Sequence, residues 1–318
     1  MTESTGSYKI SQRLQDLMCL VGQQQVFEQG AQTLNQILGI ELSDRQVQRV
    51  SEHYGHKIEE QMKDYDPELL PQVSLKNKEE PVYVMIDGSM VFTRERQWME
   101  MKLGRIHSCG QTLDNEKDRH QLSNSVYVSH LGSYNDFFIN LERYLIHYKH
   151  KVIVGDGAKW SWRWAEDNYP GATQILDYYH AIEKLAKFSS LAFTNNKEDH
   201  QEWLKTQKDL LLDNQVFTVM QNIRSTAARS PECKKSKQDV LRYYQEREDR
   251  MQYKTYKDQG LTIGSGSIES AHKNIIQQRA KLSGQRWSIK GVQSIINLRC
   301  MYKSNNPQCV RYLINQAA

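Results

Sequence analysis

VYVMIDGSM (residues 82–90) opens as five apolar residues of strand-forming type and then delivers a carboxylate, Asp87, followed by glycine. A run of this length bounded by polar sequence predicts a buried β-strand that leaves the core at Asp87. The arrangement recurs at KVIVGDGAKW (151–160), where a short apolar strand ends in Asp156-Gly157. Asp-Gly is a common turn dipeptide, so either acid taken alone is explained by turn chemistry. Two such strands lying side by side would bring both carboxylates out at one edge. Their repulsion would then call for a divalent cation.

Between these strands the pattern is that of more strands. WMEMKLGRIHS (98–108) alternates Met99, Met101 and Leu103 with charged or small residues, and SVYVSH (125–130) gives a third run. Close spacing predicts an antiparallel meander. A helix is predicted from Ser133, with Phe137, Phe138, Leu141, Tyr144, Leu145 and Tyr148 as its broad apolar face. After the strand ending at Asp156 come a tryptophan-rich segment, KWSWRWAEDNYPG, and a fifth strand, TQILD (173–177). The predicted order is β-β-β-α-β-α-β. Trp160, Trp162 and Trp164 are expected in the core.

The flanks read as helical. Residues 1–65 form a helical N-terminal region in which Ser43 is an N-cap, Gln46 completes a capping box, and Val47 and Val50 face inward. Short helices of this kind resemble a helix-turn-helix, and small bundles with no nucleic-acid role look the same. A polar linker is expected at 66–81, ending at Pro81. Residues 181–260 carry helical spacing and no strand signal, so an all-helical insertion is expected there, with SPECKKSKQD (230–239) as a loop. In TIGSGSIESAHKNIIQQRAKL (262–282), Gly264 and Gly266 make a flexible entry, Ser267 caps, and Ile268, Ala271, Ile275 and Ile276 form the buried stripe of a final helix.

Composition excludes some classes. Of 318 residues 38% are hydrophobic, mean hydropathy is −0.74, and no apolar run approaches the length of a membrane helix. The start, MTESTGSYKISQ, lacks the basic-then-apolar pattern of a signal peptide, and five cysteines with no CxxC spacing point to reduced thiols; a cytoplasmic protein is expected. Charge is unevenly spread. Residues 270–318 carry eight Lys or Arg and no acid, and since the whole chain is +4, residues 1–269 sum to −4. A one-signed basic segment predicts a polyanionic partner, the alternative being a solvated basic helix. Just ahead of it lies Glu269, either a helix-dipole acid or a third carboxylate beside Asp87 and Asp156.

Together MIDGSM, VGDGAKWSW, LDYYHAIEKL and IGSGSIESAHKNIIQQRAKLSGQRWS resemble the DDE transposases of bacterial insertion sequences, particularly the Kra-type group related to Mutator-like elements. The resemblance covers roughly residues 10–305. It implies an RNase H-like mixed sheet (β-β-β-α-β-α-β-α) whose core, 82–180 and 261–318, is interrupted by the helical insertion. It further implies Asp87, Asp156 and Glu269 as catalytic ligands of Mg²⁺ or Mn²⁺, with Asp177 and His180 in support. The partners implied are double-stranded DNA, as terminal repeats and target, and further copies of the chain; no membrane is expected. Lys273, Arg279, Lys281 and Arg286 are expected on phosphates, and Trp287 on an unpaired base. Two alternatives stay open: a transposase-derived DNA-binding protein without catalysis, and an RNase H-like nuclease that cuts without joining.

Overall fold

A computed structural model describes residues 10–64, 70–77, 79–109, 124–194, 196–304 and 306–316. Of the expected linker, residues 66–69 and 78 lie outside the described residues, as does most of the N-terminal stretch, residues 1–9. In chain order the elements are α1 (Gln12–Gln24), α2 (Phe27–Leu38), α3 (Asp44–Asp64), β1 (Val82–Thr93), β2 (Gln97–Ser108), β3 (Ser125–Leu131), α4 (Tyr134–Leu145), β4 (Lys151–Gly155), α5 (Lys159–Asn168) and β5 (Thr173–Leu176). Helices follow: α6 (Tyr178–Ala192), α7 (Lys197–Leu212), α8 (Val216–Ser225), α9 (Pro231–Gln245), α10 (Tyr253–Asp258) and α11 (Gly266–Ala271). A π-helical stretch (His272–Gln277), α12 (Gln278–Ala280), α13 (Ile289–Lys303) and α14 (Pro307–Gln316) complete the chain. The β-β-β-α-β-α-β succession is therefore present, in a mixed α/β protein. Residues 1–150 with 268–318 form one compact unit and 151–267 a second. No helix among the described residues is long and apolar enough to cross a membrane.

In the first unit β1, β2 and β3 are an antiparallel meander, with Val82 opposite Ser108, Thr93 opposite Gln97, and Met101 opposite Leu131. One expectation is corrected here. Asp87 does not end its strand: β1 is twelve residues long, and Asp87 and Gly88 sit mid-strand opposite Leu103 and Lys102. The reason is the partner. β2 is equally long, so the ladder carries the backbone past a half-buried gap at 87–89 until Val91 and Thr93 are buried again.

The N-terminal helices belong to this same unit, and α13 explains why. Residues 291–301 of α13 are all buried, so the helix has no solvent face and must be covered on every side. It packs on α1, α3 and β3. Some of its polar atoms are paired: the Leu131 N–H of β3 donates to Gln293 Oε1 (2.6 Å), and Gln293 Nε2 donates to Asn297 Oδ1 (2.6 Å), while Ser294 Oγ and Asn297 Nδ2 have no partner among the described residues. The capping box on α3 is present, the Gln46 N–H donating to Ser43 Oγ (3.3 Å) and the Ser43 N–H to Gln46 Oε1 (2.9 Å). Val47 and Val50 face inward as expected, followed by Tyr54 and Ile58.

In the second unit β4 and β5 are parallel, Val152 opposite Thr173 and Gly155 opposite Leu176, with α5 between them in sequence. Trp162 and Trp164 are buried. The helices α6 to α10 enclose Phe188, Leu211, Val219, Ile223, Val240 and Tyr244. The loop expected at 230–239 is instead the start of α9. Ser230 Oγ accepts from the Cys233 N–H (3.1 Å) and Pro231 occupies the first helical turn, a helix-start signal hidden by the charged residues behind it.

Candidate active site

Asp87 is fixed by the β1–β2 ladder, which leaves its carboxylate 38% exposed; the Gly88 N–H donates to Oδ1 (2.7 Å). Its Oδ2 lies 3.5 Å from Nε2 of His272, the first residue of the π-helical stretch. His272 is 3% exposed, and neither ring nitrogen has a hydrogen-bond partner among the described residues. Burial lowers its pKa while the nearby Asp87 carboxylate pulls the other way, so the imidazole is neutral near pH 7. Sequence reasoning passed over His272. The one signal was its spacing, three residues after Glu269 and hence near it on a helix surface. Glu269 itself is exposed, in the first turn of α11. π-Helical stretches are uncommon and concentrate at functional positions.

In the second unit Asp156 directly follows β4 and is exposed. Three features hold its turn. The Ala158 N–H donates to Asp156 Oδ1 (3.0 Å), and the Tyr243 hydroxyl donates to the Asp156 carbonyl (2.7 Å). Arg247, itself buried, donates to the Gly157 carbonyl from Nε (3.1 Å) and Nη2 (2.7 Å) while its guanidinium lies 4.5 Å from the centre of the Tyr243 ring. Gly157 has φ of 93°, a left-handed conformation that suits glycine, so here the Asp-Gly turn reading is correct. Tyr243 and Arg247 come from α9 and the turn after it, and no local pattern advertised them.

Asp177, fully buried, follows β5 and caps α6: its Oδ1 accepts from the Tyr179 N–H (2.6 Å) and the His180 N–H (3.2 Å). Its Oδ2 lies 3.3 Å from His180 Nδ1 and accepts from the Ser265 N–H (3.0 Å) and the Ser265 hydroxyl. Burial alone would raise the Asp177 pKa, but the hydrogen bonds from His180 and Ser265 outweigh it and hold the carboxyl below its ordinary value. The same bond to Asp177, opposed by desolvation and helped by the charges of Asp177, Asp156 and Glu183, raises His180 to about 9. His180 is therefore a cation at neutral pH. The contact with Ser265 explains the glycine-rich entry: Ile263 O accepts from the Tyr178 N–H (2.9 Å), and a Cβ on Gly264 would lie 2.6 Å from the Tyr179 ring.

The profile of an Uncharacterised protein family (UPF0236) matches residues 9–310. The chain belongs to this family. Among solved structures, the Drosophila P element transposase strand transfer complex is similar at 9% identity, with 94% of this chain and 79% of that chain covered and a TM-score of 0.31. No curated protein matches.

In this UPF0236 chain the basic C-terminal segment does two different things. Lys273, Lys281, Arg286 and Lys290 are exposed. Arg279 is 1% exposed, its guanidinium 4.6 Å from the Phe27 ring centre and 4.8 Å from that of Trp287, with Nε donating to the Gly22 carbonyl (3.0 Å). Arg299 is likewise buried and donates to the carbonyls of Asn274 and Gln23. Burial lowers the pKa of both, that of Arg279 to about 10, which leaves Arg279 charged near neutrality. Trp287 is 7% exposed. The contacts expected of Arg279 with a phosphate and of Trp287 with a base are thus replaced by contacts with each other. A guanidinium and an indole are both good at joining helices, and charge alone does not tell the two uses apart.

Proposed function

We propose that this chain is a DNA transposase of the DDE type, with Asp87, Asp156 and Glu269 acting together on a phosphodiester. The observation that carries the reading is the presentation of Asp156: an exposed carboxylate after a parallel strand, on a turn held by Tyr243 and Arg247. Asp156 and Glu269 have no Lys or Arg ion pair among the described residues, and such an oxygen-only donor set fits Mg²⁺ or Mn²⁺. Bound there, a divalent ion would supply an activated water and neutralise charge on the phosphate. The RNase H-like arrangement of the core belongs to this proposal.

The chain's own groups define the rest. Hydrolysis of one P–O bond leaves a 3′-hydroxyl and a 5′-phosphate at the end of an element. Attack of that hydroxyl on a target phosphodiester then exchanges one P–O bond for another and needs no external energy source. Lys273, Lys281 and Arg286 are exposed and available to backbone phosphates. Asp177, holding the cationic His180 and the Ser265 backbone at once, orders the segment that enters the helix of Glu269.

The test uses purified protein, Mg²⁺, and DNA carrying the terminal repeats that flank the gene. Strand nicking is expected, reduced at least about a hundredfold by Asp156→Asn with DNA affinity kept within about twofold. Undiminished nicking by that variant overturns the proposal. Products cut but never joined would reassign the chain to the nucleases.

A further inference from the structure

The tip of the β1–β2 hairpin and the segment after α12 form an open groove of about 340 Å³, within the size range of sites that accept small organic groups. Its apolar walls are Phe92, Trp98 and Leu282, and its rim carries Lys281 and Arg286. The two sides are tied together. The Arg94 N–H donates to the Trp287 carbonyl (2.8 Å), and the Ile289 N–H donates to the Glu95 carboxylate (3.1 Å). Trp98 is 61% exposed, with its ring edge-on to Phe92 at 5.4 Å, so a flat indole face is held in place in contact with water.

Exposing that much indole forgoes the hydrophobic gain of burial, whereas Trp162, Trp164 and Trp287 of the same chain are buried. Around Trp98 the charge is cationic. Arg94 and Arg96 at the hairpin turn are exposed, Glu95 is engaged by Ile289, and Glu100 is paired with Lys102 (2.7 Å). A fixed aromatic face rimmed by cations is the combination that takes up an unpaired nucleotide: the base stacks and the flanking phosphates meet the positive side chains. A duplex cannot use it in the same way, because its base faces are already stacked.

We propose that this groove binds one unpaired nucleotide of a DNA strand, with Trp98 as the stacking platform and Lys281 and Arg286 on the adjoining phosphates. This rests on the transposase reading and names the form of DNA that the protein holds. The base-stacking role expected at Trp287 thereby passes to Trp98, on the hairpin that Trp287 itself bridges through its backbone.

Fluorescence anisotropy with a labelled oligothymidylate, in EDTA and at several salt concentrations, tests it. Trp98→Ala should weaken binding by about 5- to 150-fold, and Trp98→Phe should keep most of the affinity. Lys281→Ala with Arg286→Ala should lower the salt slope by about 1.4, at about 0.7 per phosphate neutralised. A blunt duplex should bind Trp98→Ala as it binds the wild type. The proposal is overturned if Trp98→Ala holds the oligonucleotide at wild-type strength, or loses single strand and duplex alike. EDTA removes divalent ions, so the assay is independent of the carboxylates. Trp98-dependent binding without any nicking would sustain the groove and sink the enzyme reading; nicking with Trp98-independent binding would do the reverse.

Discussion

Asp87 and Asp156 look interchangeable as sequence, each an acid and a glycine behind an apolar run, yet they are held in place by different forces. Asp87 is a rung of an antiparallel ladder whose backbone hydrogen bonds continue on both sides of it. Its position needs nothing beyond that two-stranded ladder, and what is peculiar there is the buried imidazole of His272 beside it. Asp156 lies just past a five-residue strand, on a left-handed turn, and its place depends on Tyr243 and Arg247, about ninety residues away in the chain. An acid inside a strand is positioned by the sheet. An acid after a strand is positioned by whatever holds the turn, so α9 and the turn after it are a structural part of the Asp156 site.

If that contrast is right, alanine at the two following glycines will separate the sites. Gly157→Ala should show the largest effect. It forces a Cβ onto φ of 93° and to within 2.7 Å of buried Arg247 Nε, and a loss of about 2–3 kcal/mol is expected in urea unfolding. Arg247 would be pushed off the Gly157 carbonyl as well.

A smaller effect should come from the Asp177–His180 pair, through pH. His180 has its pKa raised from 6.5 to about 9 in the folded protein. Its contribution is therefore complete below about pH 6.5 and is lost as pH rises through about 9. Asp177 is shifted the opposite way, so its contribution is present above about pH 4 and is lost as pH falls through its depressed folded value. The His180 side chain is 32% exposed, and solvent screening limits the expected loss to roughly 1–2 kcal/mol. The difference in urea midpoint between wild type and His180→Gln, followed from pH 6 to pH 10, measures it. A difference that does not change with pH would remove the ion pair from the account.

Gly88→Ala should do least. Its Cβ would meet Glu100 Oε1 at 2.3 Å, but that is the end of a flexible, 42% exposed side chain on an adjacent strand, and φ is not left-handed there. A change within about 1 kcal/mol is expected. If Gly88→Ala and Gly157→Ala cost the same, the contrast between the two sites fails.

Much of the fold is local and could be read in advance. The alternation at 98–108, the apolar runs at 82 and 151, the Ser43–Gln46 box and the stripe at Ile268, Ala271, Ile275 and Ile276 each report on a backbone conformation set by near neighbours. Near neighbours also mislead. Asp-Gly reads as a turn in both strands, and only the length of β2 makes the first one continuous strand. Ser230-Pro231 starts a helix although the residues behind it are polar. Among the candidate site residues the position of Asp156 after its strand and the Asp177 cap with His180 one turn on were legible, because both are short-range patterns; the mid-strand place of Asp87 was not. His272, Tyr243, Arg247 and Ser265 were not, because each is defined by a partner that packing supplies.

The basic segment draws the line most clearly. The sequence by itself determined that residues 270–318 carry eight positive charges and no negative one, since charge is a property of each side chain alone. Only the tertiary structure decided that Arg279 and Arg299 are held inside by rings and backbone carbonyls while Lys281 and Arg286 face water, and that Trp98 is presented while Trp287 is enclosed. A side chain's exposure is fixed by what the rest of the chain packs against it, and for the two buried arginines that includes Gly22, Gln23 and Phe27 of the N-terminal helical region, far away in sequence.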